Sequence, residues 1–227
     1  MKEKILFVVT SHSDLGDSGR KTGYFLSEVT HPWSVLEKEY DIDVVSPKGG
    51  RPPVDGFNLD DPINRKFWDN PEWQDKMSTT LTPDKVDPNQ YRAVFYAGGH
   101  GAMFDFPDNV ALQKIAREIW ENGGCVAAVC HGPAGLVNIR LSDNTPLVKG
   151  KKFDCFTNEE EKANGTDHFM PYLLQSALEE KGGIFDGAAP WSDQVVVDGN
   201  LITGQNPMSA LDLGRAVLKR LKEISGK

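Results

Sequence analysis

A cysteine followed directly by a histidine, Cys130 and His131, is the most chemically informative pair in this chain. The pair ends an apolar run at residues 124–129 and precedes Gly132 and Pro133, residues typical of a helix start. A strand that turns sharply into a helix around one nucleophile is a nucleophile elbow, which raises that side chain above the carboxyl edge of a parallel sheet. Because free N–H groups at the helix start favour a thiolate, the sequence predicts a reactive cysteine at Cys130.

His131 has two alternative roles at such a turn. Its imidazole could accept the proton of Cys130, or its backbone N–H could stabilise an oxyanion while the ring faces elsewhere. An imidazole that acts as a base needs a third group, normally a carboxylate, that fixes its tautomer. Spacing alone does not choose among the candidate carboxylates, which are Glu28, Asp105, Asp154, Glu159, Glu160, Glu161 and Asp167.

A glycine-rich stretch at residues 97–101 follows another predicted strand and should lie at the same edge of the sheet. Gly98 and Gly99 would let backbone N–H groups approach a developing oxyanion, although a glycine-rich turn can also be merely tight. The stretch lacks the Gly-x-Gly-x-x-Gly pattern of dinucleotide sites and the Gly-Lys-Ser/Thr ending of a P-loop. We therefore expect neither NAD nor ATP as a cofactor.

Glu28 lies in a predicted helix among the apolar residues Tyr24, Leu26, Val29 and Trp33. A carboxylate on such a face is unfavourable unless it is paired or protonated, and burial would raise its pKa. A protonated carboxyl group beside a thiolate would be a good hydrogen-bond donor and proton shuttle. The alternative is an exposed glutamate on an ordinary surface helix.

The other two cysteines, Cys125 and Cys155, lie in apolar stretches and are expected to be core residues. Three cysteines at these spacings form neither a disulfide framework nor paired Cys-x-x-Cys metal motifs. We expect reduced thiols and no metal site.

The composition predicts a globular protein with a single domain over residues 1–227, of which 39% are hydrophobic. No apolar run approaches the roughly 18 residues that a membrane span needs, and the start of the chain lacks a signal-peptide layout. We therefore expect a cytoplasmic protein with no membrane partner. A net charge of −8 and a pI near 5.1 oppose binding to phosphate backbones, so nucleic acid is not an expected partner.

Short β-branched runs alternate with longer amphipathic stretches, which predicts an α/β fold with a flavodoxin-like parallel sheet between helices. The predicted strands are residues 5–10, 42–46, 93–97, 125–129, 194–197 and 201–203, the last two forming a hairpin. The predicted helices are residues 24–38, 109–122, 171–181 and 207–224.

Two segments do not fit this alternation. Residues 47–90 are rich in proline, with aromatic residues among charges at Phe57, Phe67, Trp68 and Trp73. A loop of this length is usually functional, so we expect a lid-like insertion; the alternative is a solvated excursion packed by its own aromatic residues. Residues 139–168 are also polar, and their acidic triplet at 159–161 is expected to be a solvated surface.

Together, residues 21–28, 97–101 and 127–133 resemble the DJ-1/PfpI superfamily within the class I glutamine amidotransferase-like fold. More narrowly, the chain resembles the branch of heat-inducible chaperones and glutathione-independent glyoxalases, from its first predicted strand to residues 204–207. The resemblance implies a nucleophile at Cys130, an imidazole at His131 and a helix-borne carboxyl group at Glu28 that contacts the thiol.

The resemblance also implies a third triad member at the end of a Phe-Thr-x-x-x-Glu pattern, which is Glu161 in this sequence. Glu159 or Glu160 would serve instead if the loop shifted by one or two residues. The implied oxyanion donors are the backbones of Gly99 and His131, with Gly98 beside them.

The implied activity is conversion of methylglyoxal or a similar 2-oxoaldehyde to D-lactate or the matching 2-hydroxy acid. The reaction would proceed through a hemithioacetal on Cys130, with water as co-reactant and no cofactor or metal. Three alternatives stay open: a deglycase, a holdase chaperone that binds unfolded clients on apolar surface of residues 47–90, and a redox sensor that oxidises Cys130 to a sulfinate. The resemblance further implies a homodimer.

Overall fold

The structure, a computed structural model, describes residues 2–226. Its strands are β1 (Lys4–Val8), β2 (Tyr24–Phe25), β3 (Asp41–Val45), β4 (Val54–Asp55), β5 (Tyr91–Tyr96), β6 (Cys125–Val129), β7 (Lys152–Phe153), β8 (Ile184–Phe185), β9 (Val195–Asp198) and β10 (Leu201–Gly204). Its α-helices are α1 (Leu26–Leu36), α2 (Pro62–Trp68), α3 (Pro71–Ser78), α4 (Ala102–Asp105), α5 (Val110–Glu121), α6 (Asn158–Ala163), α7 (Leu174–Glu180) and α8 (Ala210–Ile224). Within this described range, no helix combines the length and the apolar character needed to cross a bilayer.

The centre of the fold is a six-stranded sheet with the strand order β3-β1-β5-β6-β10-β9. The first five of these strands run parallel, and β9 pairs antiparallel with β10 at one edge. The carboxyl ends of the parallel strands therefore meet along one edge, where open α/β sheets place their ligand sites. The predicted fold class is confirmed.

Helices cover both faces of the sheet. Alternate residues of β1 face opposite sides, so that Leu6 and Val8 pack in a core with α5, whereas Ile5 and Phe7 pack in a core with α1 and α8. All four side chains are fully buried, and each such burial stabilises the fold by about 1.5–3 kcal/mol. Burial on both faces explains why the strands are continuous apolar runs.

The sequence predicted the strands of the central sheet closely, and the helix starts less well. The helix expected from residue 24 begins at Leu26, because Tyr24 and Phe25 pair with Val54 and Asp55 to form β2 and β4. The helix expected from residue 171 begins at Leu174. In the last predicted helix, the first residues form a short 3₁₀ turn before α8.

The expectation that residues 47–90 form a long loop is wrong, because this segment contains α2 and α3. Asp61 and Asn70 cap the two helices with their side chains, and a proline follows each cap at the first helical position. Phe67 and Trp73 are buried, with ring centroids 5.1 Å and 5.7 Å from that of Trp33 in α1. The segment is therefore anchored in the core; its role as a lid stays a prediction.

Helices α1 and α8 cross closely at Gly214, where an added Cβ would lie 2.8 Å from the Cα atom of Pro32. Alanine in place of glycine normally stabilises a helix by about 1 kcal/mol, but here the new methyl group must push the helices apart. We expect Gly214→Ala to lower the free energy of unfolding by about 1–3 kcal/mol in urea denaturation. The control Lys219→Ala, exposed on the same helix, should change it by less than about 0.5 kcal/mol. Unchanged stability of Gly214→Ala would contradict the close crossing.

Candidate active site

Cys130 lies directly after β6, at the carboxyl edge of the sheet. Its φ is +58°, a left-handed conformation that is unfavourable for a residue with a side chain. Its N–H donates to the Gly204 carbonyl and its carbonyl accepts from the Phe156 N–H, each at 2.9 Å. An added Cβ at Gly132 would lie 2.2 Å from the Tyr96 carbonyl oxygen, so only glycine fits after the turn. The chain therefore forms the predicted elbow, with the thiol at its tip.

Cys130, His131 and Glu161 form a continuous hydrogen-bonded series. The sulfur lies 3.3 Å from Nδ1 of His131, and Nε2 of His131 lies 2.6 Å from Oε2 of Glu161 on α6. All three residues are buried. Because an ionised carboxylate only accepts hydrogen bonds, we assign the hydrogen to Nε2, which leaves Nδ1 as an acceptor facing the thiol. This is the order of nucleophile, base and orienting acid in a catalytic triad.

The carboxylate of Glu161 has two further partners on its other oxygen. Oε1 lies 3.1 Å from Nε2 of His100 and also accepts a short hydrogen bond from the Thr166 hydroxyl. Burial alone would disfavour the charged form, but interactions with His131 and His100 outweigh burial and lower the pKa of Glu161. Glu161 therefore stays ionised at neutral pH and can hold the tautomer of His131.

The three consecutive glutamates have different environments. Glu159 is exposed, whereas Glu160 and Glu161 are both buried, so the expectation of a solvated acidic surface is wrong for two of them. Glu160 completes a capping box with Thr157 at the start of α6 and does not contact His131. The structure thus brings Glu161, and neither neighbour, to the imidazole.

Glu28, in the first turn of α1, is fully buried beside the thiol. Burial raises the pKa of Glu28 to about 8, although the Cys130 thiol and the Gly98 backbone N–H both favour the charged form. These two contacts compensate only weakly, because neither carboxylate oxygen has a hydrogen-bond partner of good geometry among residues 2–226. Glu28 is therefore mainly protonated at neutral pH, and the alternative of an exposed surface glutamate is wrong.

The resting thiol is also protonated. Burial raises the pKa of Cys130 well above its ordinary value, the neighbouring carboxyl groups of Glu28 and Glu161 raise it further, and the His131 backbone N–H opposes the shift. The expectation that the turn alone favours a thiolate is wrong for this buried site. Burial and the nearby His100 lower the pKa of His131, against the opposing effect of Glu161, so its imidazole is neutral and able to accept the thiol proton.

Gly98 and Gly99 bring the end of β5 against the elbow. An added Cβ at Gly98 would lie 2.4 Å from Oε2 of Glu28 and 2.8 Å from the backbone nitrogen of His131. Gly99 has φ +102°, and a Cβ there would lie 2.1 Å from the Gly23 carbonyl oxygen. Both positions therefore require glycine. Oxyanion stabilisation by the backbone N–H groups of Gly99 and His131 stays a prediction.

The site opens into a cavity of about 490 Å³, and Gly99, Cys130 and His131 are among the residues that line it. Aromatic side chains form one part of its wall, and polar side chains of residues 55–64 form another. These lining residues are Phe25, Phe156, Trp191, Asp55, Asn58, Asp61 and Asn64. Part of the segment at residues 47–90 thus borders the candidate site.

The remaining candidate acids lie elsewhere. Asp105 accepts hydrogen bonds from the chain just after β1, and Asp167 pairs with His168 near the surface. The carboxylate oxygens of Asp154 are buried without a hydrogen-bond partner among the described residues. Burial raises the pKa of Asp154 to about 8. Cys125 and Cys155 are fully buried core residues, as predicted.

His100 and Thr166 both contact Glu161 but were not among the site residues predicted from the sequence. The ring of His100 packs on that of His131, with centroids 4.2 Å apart, and it lines the cavity. Its position directly after Gly99 at a strand end was a usable signal, because that edge of the sheet carries the elbow. Thr166 follows α6 in a polar stretch without a periodic pattern, so the sequence contained no comparable signal for it.

Two imidazoles and one carboxylate here have the ligand types of a zinc or iron site. The ligand atoms of His100, His131 and Glu161 lie within 4.8 Å of one another. The same atoms hydrogen-bond to each other in this arrangement, so a metal ion would have to replace those bonds.

The buried carboxyl group of Glu28 should make stability depend on pH. Its pKa of about 8 exceeds the ordinary value of 4.5, so the folded state retains a proton that the unfolded chain releases, and stability falls as pH rises through this interval. Between about pH 5 and about pH 8 we expect the wild type to lose on the order of 3 kcal/mol more than Glu28→Gln in urea unfolding. Exposed Glu159→Gln should follow the wild type. If the free energy of unfolding depends on pH in the same way for the wild type and Glu28→Gln, Glu28 is ionised in the folded state.

Comparison with known proteins places these features in a family. The DJ-1/PfpI family profile matches residues 21–220. The glutathione-independent glyoxalase HSP31 of Saccharomyces cerevisiae is 35% identical, over 92% of this chain and 93% of its own length. Glyoxalase 3 of Candida albicans is 34% identical, over 95% of this chain and 97% of its own. The crystal structure of glyoxalase III from Candida albicans matches with a TM-score of 0.89 at 32% identity, covering 96% of each chain. This chain belongs to the DJ-1/PfpI family.

Proposed function

We propose that this protein is a glutathione-independent glyoxalase of the glyoxalase III type, a lyase that acts on methylglyoxal or a similar small 2-oxoaldehyde. The observation that carries the proposal is the Cys130 thiol, 3.3 Å from His131, beside the buried carboxyl group of Glu28 and in the wall of a cavity. These groups supply a nucleophile, a base and an acid, which a redox-neutral rearrangement of a dicarbonyl requires. The glyoxalase names of full-length relatives support it.

The first step is addition of Cys130 to the aldehyde carbon, C1. Neutral His131 takes the thiol proton through Nδ1 as the sulfur–carbon bond forms, and the aldehyde oxygen becomes an oxyanion near the backbones of Gly99 and His131. Protonated Glu28 then donates its proton to this oxygen. The result is a neutral hemithioacetal, with Glu28 ionised and His131 protonated beside ionised Glu161.

Proton transfer from C1 to C2 follows. Glu28, now a carboxylate, removes the C1 proton while protonated His131 donates to the C2 carbonyl oxygen, which gives an enediol. Glu28 returns its proton to C2, and His131 accepts the proton of the C1 hydroxyl, which gives a thioester that carries a C2 hydroxyl. The oxidation of C1 and the reduction of C2 balance within the substrate.

Hydrolysis of the thioester regenerates the enzyme. Proton transfer from His131 to Glu28 restores their resting states, after which His131, oriented by Glu161, removes a proton from water as its oxygen attacks C1. Protonated His131 then donates to the departing sulfur of Cys130. The products are the free thiol and D-lactate, or the corresponding 2-hydroxy acid.

The structure offers less support for a holdase or a redox sensor than for a deglycase. The apolar patch expected for a holdase is smaller than its residues suggested, because Trp73 is only 5% exposed, whereas Phe57 is 51% exposed. A redox sensor needs an accessible thiolate, and burial raises the pKa of Cys130. Deglycation would use the same thiol on a larger adduct and stays a prediction.

Several finer expectations also stay predictions. We propose a homodimer in the cytoplasm, with unfolded proteins as secondary clients and no nucleic-acid partner. The charge of −8 supports the exclusion of nucleic acid, since it opposes attraction to phosphate groups. The dimer and the clients rest on family resemblance.

Removal of the nucleophile tests the proposal directly. We expect the wild type to form D-lactate from methylglyoxal without glutathione, and Cys130→Ser to lose at least about 10³-fold in kcat/KM, measured by chiral lactate assay. Cys125→Ala is the matched control, because this buried cysteine begins the strand that leads to Cys130, does not line the cavity and should retain activity. Absence of lactate with the wild type, or wild-type turnover by Cys130→Ser, would overturn the proposed function.

Exchange within the acidic triplet tests the role of Glu161. Glu161→Gln keeps the size of the side chain but removes the charge that holds the tautomer of His131, so kcat should fall by about 10²–10⁴ with a smaller change in KM. Glu159→Gln, on the exposed side of the same helix, should leave the kinetics unchanged. If both variants retain full activity, Glu161 does not orient the base.

A further inference from the structure

Trp191 has a backbone conformation that is unusual for its side chain. Its φ is +63°, in the left-handed region, which is a genuine outlier for a bulky residue. The side chain is 43% exposed, so burial of the indole ring in the core does not explain the conformation. Strained residues of this kind persist where surrounding contacts hold them, and they cluster at ligand-binding sites.

A buried carboxylate holds this strained residue. Oε1 of Glu160 accepts the Trp191 backbone N–H at 2.7 Å, together with Nδ2 of Asn206 at 2.9 Å and Nε2 of Gln205 at 3.2 Å. Its other oxygen accepts the Thr157 backbone N–H at 2.9 Å. Hydrogen bonds to a buried carboxylate are among the stronger ones in proteins, so Glu160 ties Trp191 to the start of α6.

The indole ring continues an aromatic series that leads to the candidate active site. Its centroid lies 5.5 Å from that of Phe156 in an edge-on arrangement, and the Phe156 centroid lies 4.5 Å from that of His131. Trp191 lines the cavity, as do Phe156 and Phe25. One part of the cavity wall is therefore aromatic and begins next to the imidazole.

The volume of the cavity has a consequence for the substrate. At about 490 Å³, it falls within the range of pockets that hold drug-sized ligands, and methylglyoxal would fill only a small part of it. An aldehyde carbon placed at Cys130 leaves the opposite end of a longer molecule to contact the aromatic wall. Apolar or aromatic side groups would pack there on Phe156 and Trp191.

We propose that Trp191 is a specificity-determining residue that binds the side group of apolar and aromatic 2-oxoaldehydes, and that Glu160 is the positioning residue that holds it. The inference rests on the proposed glyoxalase function and names the class of substrate that the same site takes. It also gives the strained backbone of Trp191 a function, because the residue lines the cavity in this αL conformation.

The test compares phenylglyoxal with methylglyoxal as substrates. The quantity measured is selectivity, the ratio of kcat/KM for phenylglyoxal to kcat/KM for methylglyoxal. We expect Trp191→Ala to lower this ratio at least about tenfold, mainly through a higher KM for phenylglyoxal, and Trp191→Phe to restore most of it. Trp68→Ala is the matched control, because Trp68 is half-buried, packs on Phe57 and does not line the cavity.

A double-mutant cycle tests how Glu160 acts. We expect Glu160→Gln to lower the selectivity ratio in the same direction, because donors face both oxygens of Glu160 and an amide would place its NH2 group either against the Thr157 N–H or against the Trp191 N–H. If Glu160 acts through Trp191, the double variant Glu160→Gln/Trp191→Ala should have the selectivity of Trp191→Ala alone. If the double variant instead loses selectivity by the product of the two single-variant losses, Glu160 does not act through Trp191.

The outcomes separate this inference from the proposed function. If the wild type converts neither 2-oxoaldehyde, the glyoxalase proposal fails. If it converts both and Trp191→Ala reduces both equally, or changes neither, the glyoxalase proposal stands and the specificity inference is overturned. A loss of selectivity in Trp68→Ala equal to that in Trp191→Ala would also overturn it.

Discussion

The burial of one carboxyl group against one thiol is the constraint on which the rest of the site depends. Glu28 has no exposed surface and no well-aligned hydrogen-bond partner in the described part of the chain, so it is stable there only when it carries a proton. Glu28 can approach Cys130 only because Gly98 has no side chain, since a Cβ at Gly98 would lie 2.4 Å from Oε2 of Glu28. The same constraint places the start of α1 at the carboxyl edge of the sheet, beside the elbow.

The carboxylate of Glu161, in contrast to that of Glu28, stays charged. Glu161 has His131 and Thr166 as hydrogen-bond partners and His100 beside them, whereas Glu28 has none of comparable quality. Two glutamates at one site thus differ in protonation because one is desolvated without partners and the other is desolvated with them. This difference provides an acid beside the thiol and, across the His131 ring, a carboxylate that orients the base.

The sequence predicted the features that depend on hydrophobic periodicity and on residues that end strands and helices. Apolar runs located the strands of the central sheet, and the sharp change of character after Val129 located the elbow. Sequence patterns could not identify Glu161 within the acidic triplet. That identification depends on where α6 begins, because its capping box uses Glu160 and so leaves Glu161 to face His131. The helices in residues 62–78 were readable in principle, since Asp61 and Asn70 each precede a proline at a helix start, but frequent prolines obscured that signal.

The resting protonation states also bear on what kind of thiol chemistry this fold favours. Burial keeps Cys130 neutral beside neutral His131 and protonated Glu28, so these three groups carry no net charge before a substrate enters, and the negative charge of Glu161 lies on the far side of the imidazole. An exposed thiolate would react readily with peroxide, because reactivity follows thiolate character and access. A thiol that ionises only as His131 takes its proton is activated when an electrophilic carbon is already in contact with the sulfur. The desolvation that raises the pKa of Cys130 therefore favours addition to a bound carbonyl over oxidation by solvent-borne oxidants.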